Sequence, residues 1–150
     1  MTKIDGGLRQ LFRQHLPQFD WCSIESGATG GGIPDMNYCT CTELHSDGYG
    51  KEGWLELKQT PGHRVTLRPE QVGWIARRVR AGGRVWIAVR QQAARGPRRE
   101  ARDALWLIPG ADAKEALVGG LSGPGAACWP QWRGGPARWD WPRIAEVLTR

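Results

Sequence analysis

The sequence has few cysteines and no long apolar segment. Its four cysteines, Cys22, Cys39, Cys41 and Cys128, are too few and too irregularly spaced for a disulfide framework. No apolar run approaches the length of a membrane span, and residues 1–7 lack the apolar core of a signal peptide. These absences predict a cytoplasmic protein that does not contact a membrane.

The cysteines allow one alternative metal site, a structural zinc site. Cys39 and Cys41 have His45 close by in the sequence, as in half of a zinc site. Zinc-binding cysteine pairs usually have two or more residues between them, and no second pair follows here. Reduced cysteines on or near a strand are therefore the favoured interpretation.

Acidic residues are scarce in the middle of the chain. Between Pro61 and Arg102 there are eleven arginines, whereas Glu70 and Glu100 are the only acids. A phosphate-rich partner such as DNA would explain this excess within a chain of net charge +6. The alternative is a solvated basic face that keeps the protein in solution.

The remaining composition is that of an ordinary globular domain. With 150 residues, 40% hydrophobic and 24% charged, the chain fits a single domain with its own core. We expect the core to span about residues 8–110. The segment over about 111–150, rich in tryptophan, glycine and proline, is predicted to be an irregular C-terminal extension.

Hydrophobic periodicity predicts an α/β domain. Helices are expected at 8–16, from 68 to the glycines at 82 and 83, at 111–118 and at 141–149. Strands are expected at 19–26, 36–42, 54–58, 84–89 and 104–108. The opening order of helix, three strands, helix and strand predicts a mixed central sheet flanked by helices.

Three charged residues fit a metal-dependent nuclease. Asp35 follows a glycine-rich loop and Pro34, which fixes the backbone ahead of it. Glu56 and Lys58 lie two residues apart on a predicted strand and so point to the same face. Two carboxylates and one carbonyl suffice for Mg²⁺, which keeps several waters. We expect Asp35, Glu56 and the Leu57 carbonyl to hold Mg²⁺, replaceable by Mn²⁺, while Lys58 acts on the attacking water or the transition state.

Two motifs in this order resemble the PD-(D/E)xK nuclease superfamily: the run GIPD at 32–35 and the run WLELK at 54–58. Gln71 matches a helical glutamine of many members. The chain looks most like the small, often phage-encoded nucleases of the VRR-NUC and Holliday-junction-resolvase-like groups, which implies a bacterial protein or a phage protein in the host cytoplasm. The resemblance covers roughly 21–90. It implies a restriction-endonuclease-like core, a magnesium-dependent DNA endonuclease, Gln71 as a fourth catalytic residue, and a homodimer, because two strands need two active sites.

Glu25 is a further candidate for the metal site. In this family an upstream acid often contributes a ligand, and Glu25 shares a predicted strand face with Trp21 and Ser23, ten residues before Asp35. A solvated carboxylate at the end of a strand is the alternative.

Several basic residues are candidate DNA contacts. They lie between the Glu-x-Lys strand and the helix, or on that helix: Arg64, Arg68, Arg77 and Arg78. Ordinary surface arginines explain them nearly as well. The tryptophans near the C-terminus likewise allow two interpretations, a stacking platform for unpaired bases or packing against the body of the protein or a subunit partner.

The preferred function is cleavage of branched DNA, such as a Holliday junction, in repair or recombination. A restriction-like or repair nuclease that cuts linear or flapped DNA is the first alternative. The second is a catalytically inactive DNA-binding module. An intact set of Asp35, Glu56 and Lys58 argues against the second.

Overall fold

The computed structural model describes residues 5–24, 31–40, 45–93 and 96–150. Its α-helices are α1 (Leu8–His15), α2 (Pro69–Arg80), α3 (Ala113–Gly119) and α4 (Trp141–Leu148). Its strands are β1 (Phe19–Ser23), β2 (Met36–Thr40), β3 (Glu52–Thr60), β4 (Val85–Gln91), β5 (Ala104–Pro109) and β6 (Gln131–Arg133). Short 3₁₀ helices cover Gly110–Asp112, Gly120–Ser122 and Pro124–Cys128.

The strands form one mixed sheet in the order in which they occur along the chain, from β1 to β6. β3 and β4 are parallel, and all other neighbouring strands are antiparallel. A parallel pair needs a long crossover connection, which α2 supplies here. The prediction of an α/β domain with a mixed sheet between helices is confirmed.

Side-chain alternation along the strands separates two cores. On β3, Leu55 and Leu57 face one core together with Leu8 and Phe12 of α1 and Ile144 of α4. The other face of the sheet packs on α2 and α3, through buried residues that include Ile75, Ile87, Val89 and Ala116. Glu56 and Lys58 alternate with the two leucines and therefore lie on the α2 side.

The C-terminal segment is built into the domain, contrary to the predicted irregular extension. β6 pairs with β5, where Trp132 lies opposite Leu105. α4 contributes Ile144 and Leu148, both fully buried, to the first core. The sequence predicted α4, but β6 has only three residues, too few for a periodicity to be recognised.

The C-terminal tryptophans pack inward. Trp129, Trp139 and Trp141 are each at least nine-tenths buried, and the indole N–H of Trp129 donates to Asp112 Oδ2 at 2.9 Å. Packing against the body, the second of the two interpretations, describes these three side chains.

Some boundaries differ from the predictions. β3 extends at both ends beyond the predicted 54–58, and the helix predicted at 111–118 starts as a 3₁₀ turn before α3. The predicted strand ends at 25–26 and 41–42 fall outside the described residues. Among the described helices, none is long and apolar enough to cross a membrane.

Candidate active site

The sheet register brings Asp35 and Glu56 together. Met36 at the start of β2 is paired with Leu55 on β3. Because these strands are antiparallel, the residue before Met36 lies opposite the residue after Leu55. Two carboxylates that are far apart in sequence therefore become cross-strand neighbours, as the proposed metal site requires.

The backbone of Leu57 is directed at Asp35. The Trp54 N–H donates to the Arg84 carbonyl, so even-numbered residues of β3 turn their peptide groups toward β4. Leu57 turns its groups the other way, to the side where β2 has not yet begun. Its N–H donates to Asp35 Oδ2 at 2.8 Å. In a strand the carbonyl of a residue faces the same edge as its N–H, so the Leu57 carbonyl, the predicted ligand, is directed to the edge on which Asp35 lies.

Glu56 is a buried carboxylate with one unsatisfied oxygen. Only 2% of the residue is exposed. Its Oε1 accepts from Gln71 Nε2 at 2.5 Å and lies 3.0 Å from Lys58 Nζ. Its Oε2 is buried and has no hydrogen-bond partner among the described residues. A buried polar atom without a partner is costly, and a bound cation would remove that cost.

The surroundings of Glu56 disfavour its ionised form. Burial has the largest effect and raises the pKa of Glu56, and the nearby charge of Asp35 raises it further. Lys58, by its charge and its hydrogen bond, and then Gln71 by a hydrogen bond, act in the opposite direction. The resulting pKa is about 7.

Gln71 connects β3 to the first turn of α2. Its Oε1 accepts from Lys58 Nζ at 3.2 Å and from the Arg68 N–H at 2.9 Å, while its Nε2 donates to Glu56. A side-chain amide both donates and accepts, so it can contact a lysine and a carboxylate together. Pro69 at the start of α2 suits a first-turn position that needs no N–H donor.

Gly32 packs the loop before Asp35 against α2. Its φ is +93°, and an added Cβ would lie 2.2 Å from the Glu70 carbonyl oxygen. Only glycine combines this backbone conformation with such a close approach. The contact fixes the path of the chain three residues before Asp35 and one residue from Gln71 in α2.

Arg9 of α1 is a site residue that the sequence did not predict. Its Nη1 donates to the Asp35 carbonyl at 3.2 Å, and its Nη2 lies 3.8 Å from Asp35 Oδ1. Its position beside the apolar stripe of α1 predicts a partly exposed side chain. No local pattern indicates that this side chain reaches Asp35, because the contact arises only when the helix packs on the sheet.

The predicted DNA contacts do not join the site as a group. All four of their side chains are exposed: Arg64, Arg68, Arg77 and Arg78. Arg68 lies 3.6 Å from Glu70, and its backbone, through its N–H, contacts Gln71. The Arg78 guanidinium covers the Trp74 ring, 4.8 Å from its centroid, and so has a packing role.

Two predictions fall partly or wholly on residues that the structure does not describe. Glu25 lies outside the described residues, as does Cys41 of the alternative zinc site. His45 is described, and its Nε2 is 2.5 Å from Thr40 Oγ1.

The donor set at the site fits a hard divalent cation. Among the described residues, no three side chains of His, Cys, Asp or Glu are grouped as a metal site. Asp35 and Glu56 instead supply two carboxylates, beside the Leu57 carbonyl and with an unsatisfied Glu56 Oε2. Oxygen ligands in this small number suit Mg²⁺, which retains waters in its shell.

Comparisons with family models, curated proteins and solved structures find no match to this chain.

Proposed function

We propose that the protein is a metal-dependent endonuclease of the PD-(D/E)xK kind that hydrolyses phosphodiester bonds in DNA. The observation that carries this proposal is the convergence of Asp35, Glu56, Lys58 and Gln71, which come from three separate segments of the chain. The order α1, β1, β2, β3, α2, β4 supports a restriction-endonuclease-like core. The arginine-rich surface supports a polyanionic substrate.

The carboxylates of Asp35 and Glu56 and the Leu57 carbonyl would hold Mg²⁺ or Mn²⁺. Bound there, the ion supplies a Lewis acid for the phosphate and lowers the pKa of a water. Asp35 is oriented for this role by the Leu57 N–H and by Arg9. Burial of Glu56 excludes bulk water from one side of the site, which strengthens electrostatic interactions there.

Lys58 is the residue best placed to act on the phosphate. An ammonium group has three N–H donors, and two of them are directed at Glu56 Oε1 and Gln71 Oε1. With 22% of its side chain exposed, Lys58 can donate the third to a phosphoryl oxygen or to the attacking water. A positive charge at that point stabilises the charge that develops in the transition state.

Branched DNA is the proposed substrate, cut in recombination or repair by a homodimer acting in the cytoplasm. The support is the resemblance to resolvase-like nucleases and the need for two active sites to cut two strands. A restriction-like or repair nuclease acting on linear or flapped DNA is the alternative within the same chemistry. A DNA-binding module without catalysis is the alternative outside it.

A cleavage assay tests the proposal. Purified protein with Mg²⁺ is incubated with four-way junctions, flaps, linear duplex and single strands, together with Asp35→Asn, Lys58→Ala and the control Lys114→Ala. Lys114 is exposed on α3. We expect cleavage by the wild type and the control, and a loss of about 100-fold or more in the two site variants, as when a transition-state contact is removed. Cleavage that survives both site substitutions overturns the site, and binding without cleavage under any divalent cation favours the binding module.

A further inference from the structure

A basic cleft lies between the β4–β5 connection and the turn between β6 and α4. Its main part, about 390 Å³, is lined by Arg90, Gln92, Arg99, Glu100, Asp103 and residues 134–138. An adjoining part of about 280 Å³ adds Arg98 and Ala101. Both parts share Glu100, Gly134 and Arg138, so they form one continuous cleft.

The floor of the cleft is a buried ion pair. Arg90 donates to both carboxylate oxygens of Asp103, at 2.9 and 2.7 Å, and its guanidinium lies 5.6 Å from the Trp139 ring centroid. The Asp103 carbonyl accepts from the Gly135 N–H and from the Trp139 indole. These contacts attach both walls of the cleft to the sheet.

Positive charge predominates on the rim. Arg98, Arg99 and Arg138 are exposed, and none of them forms an ion pair within the described part of the chain. The acids of the lining are Glu100 and Asp103, and Asp103 is already paired with Arg90. Like charges held on one rim repel each other, and an anion between them offsets that repulsion.

The turn that carries Arg138 is fixed by glycine. Gly134 and Gly135 have φ values of +97° and +83°. An added Cβ at Gly134 would lie 3.0 Å from Arg138 Cδ. Two left-handed residues in succession therefore fold the turn so that the Arg138 side chain lies close against it, at the rim.

The cleft opens at the same end of the sheet as the candidate active site, on the opposite face. Arg90 is paired in register with Gln59, the residue after Lys58. Arg90 Nη1 donates to the Gly6 carbonyl at 2.6 Å, and Arg9, early in the following helix, reaches Asp35. The segment before α1 and the first turn of α1 thus lie between the cleft and the candidate active site.

We propose that this cleft binds the phosphates of a single DNA strand that leaves the cleavage site, which favours the flapped substrate named above as the alternative over a fully paired four-way junction. This inference rests on the proposed function. Arginine forks match phosphate oxygens. A cleft of this volume is in the range of small-ligand sites, about 300–1,000 Å³. It accommodates a nucleotide-sized segment of one strand and is too small for a double helix.

Binding without metal tests the cleft separately from catalysis. Arg99→Ser/Arg138→Ser is compared with Arg80→Ser/Lys114→Ser, which removes the same charge from exposed positions on α2 and α3. Fluorescence anisotropy in EDTA measures affinity for a duplex with a single-stranded arm and for the same duplex with blunt ends, over a series of salt concentrations. Circular dichroism verifies that both variants are folded.

We expect the cleft variant to lose about tenfold in affinity for the armed duplex and no more than the control for the blunt one. For the armed duplex, the slope of the logarithm of the binding constant against the logarithm of salt concentration should become shallower by about 0.7 for each phosphate contact that is lost. Equal losses on both DNAs, or no loss beyond the control, overturn the proposal. If the cleft variant loses affinity only for the armed duplex but the wild type cleaves no DNA, the cleft proposal stands and the nuclease proposal is refuted.

Discussion

Glu56 is a carboxyl group removed from water and placed opposite a second carboxylate. Lys58 and Gln71 stabilise its charge, but burial and Asp35 outweigh them, so its pKa rises to about 7. Near neutral pH the folded protein therefore holds a proton that the unfolded chain has already released. The protonation of Glu56 can therefore be detected by its effect on the free energy of unfolding, without any assay of activity.

We predict that Glu56 lowers stability as the pH rises. Its pKa is about 7 in the folded protein against an ordinary value of 4.5, so the folded state binds the proton more tightly. The free energy of unfolding, relative to Glu56→Gln, should fall by up to about 3 kcal/mol between pH 4.5 and 8. Urea denaturation in EDTA measures it. A difference between the two proteins that does not change with pH contradicts the prediction.

Gln71→Ala should both destabilise the protein and shift this pH dependence. It leaves the Arg68 N–H without its acceptor and removes one of the groups that stabilise ionised Glu56. We expect a loss of about 1–3 kcal/mol and a transition of the pH profile at a higher pH than in the wild type. The exposed neighbour Glu70→Ala is the control. If Gln71→Ala lowers stability equally at every pH, the contact with Glu56 is not energetically important.

At the scale of elements, the site depends on how the β1–β2 connection meets α2. β3 presents Glu56 and Lys58 by simple alternation. Asp35 lies one residue before β2, so its position depends both on the sheet register and on the residues just before it. The close contact of Gly32 with Glu70 fixes the path of those residues. The start of α2 therefore positions Gln71 directly and Asp35 indirectly.

Gly32→Ala tests that contact against a matched glycine. Gly82 has a similar φ, +88°, with nothing within 4 Å of an added Cβ. Gly82→Ala thus measures backbone strain alone, of about 1–2 kcal/mol. Gly32→Ala should cost about 1–3 kcal/mol more because it also overpacks the loop. Equilibrium urea denaturation compares the two variants, and similar losses would show that the β1–β2 connection is free to move away from α2.

At the scale of the whole molecule, β6 and α4 pack against the same core as α1. Asp103 joins these regions, because it pairs with Arg90 of β4 and accepts from Gly135 and Trp139 through its carbonyl. These contacts are those of a structural residue. The C-terminal segment therefore packs into the same two cores as the rest of the described chain.

We expect Asp103→Ala to destabilise the whole protein by about 3–5 kcal/mol, since it leaves the Arg90 guanidinium buried without its partner. Asp112→Ala, which removes a single indole contact, should cost about 1 kcal/mol. Replacing both members of the pair, in Arg90→Met/Asp103→Leu, should cost less than Asp103→Ala. Urea denaturation gives all three values. If the double variant is less stable than Asp103→Ala, the unpaired charge of Arg90 is not the cause of the loss in Asp103→Ala.

Much of the fold was predictable because its elements carry strong periodicity. α1, α2 and α4 and the first five strands follow from apolar spacing, and the Glu-x-Lys pair follows from strand alternation. The register that places Asp35 opposite Glu56 agrees with the order of the motifs. The elements and the Glu-x-Lys pair depend on residues that are neighbours in sequence.

Arg9 and the rim of the basic cleft were not predictable in this way. Arg9 meets Asp35 only after α1 packs on the sheet, and Arg138 joins Arg98 only through a turn set by two glycines. β6 is too short to carry a periodic signal. Such contacts depend on residues distant in the chain, which composition and spacing do not encode locally.

The packing of Phe12 against Trp141, with ring centroids 5.7 Å apart, has a consequence for biosynthesis. α1 leaves the ribosome well before the residues of α4 that cover its apolar face are translated. Until then the nascent chain exposes one side of its sheet, a state prone to aggregation and recognised by chaperones. Long-range closure of this kind also slows folding, so the candidate active site should form only after translation of α4.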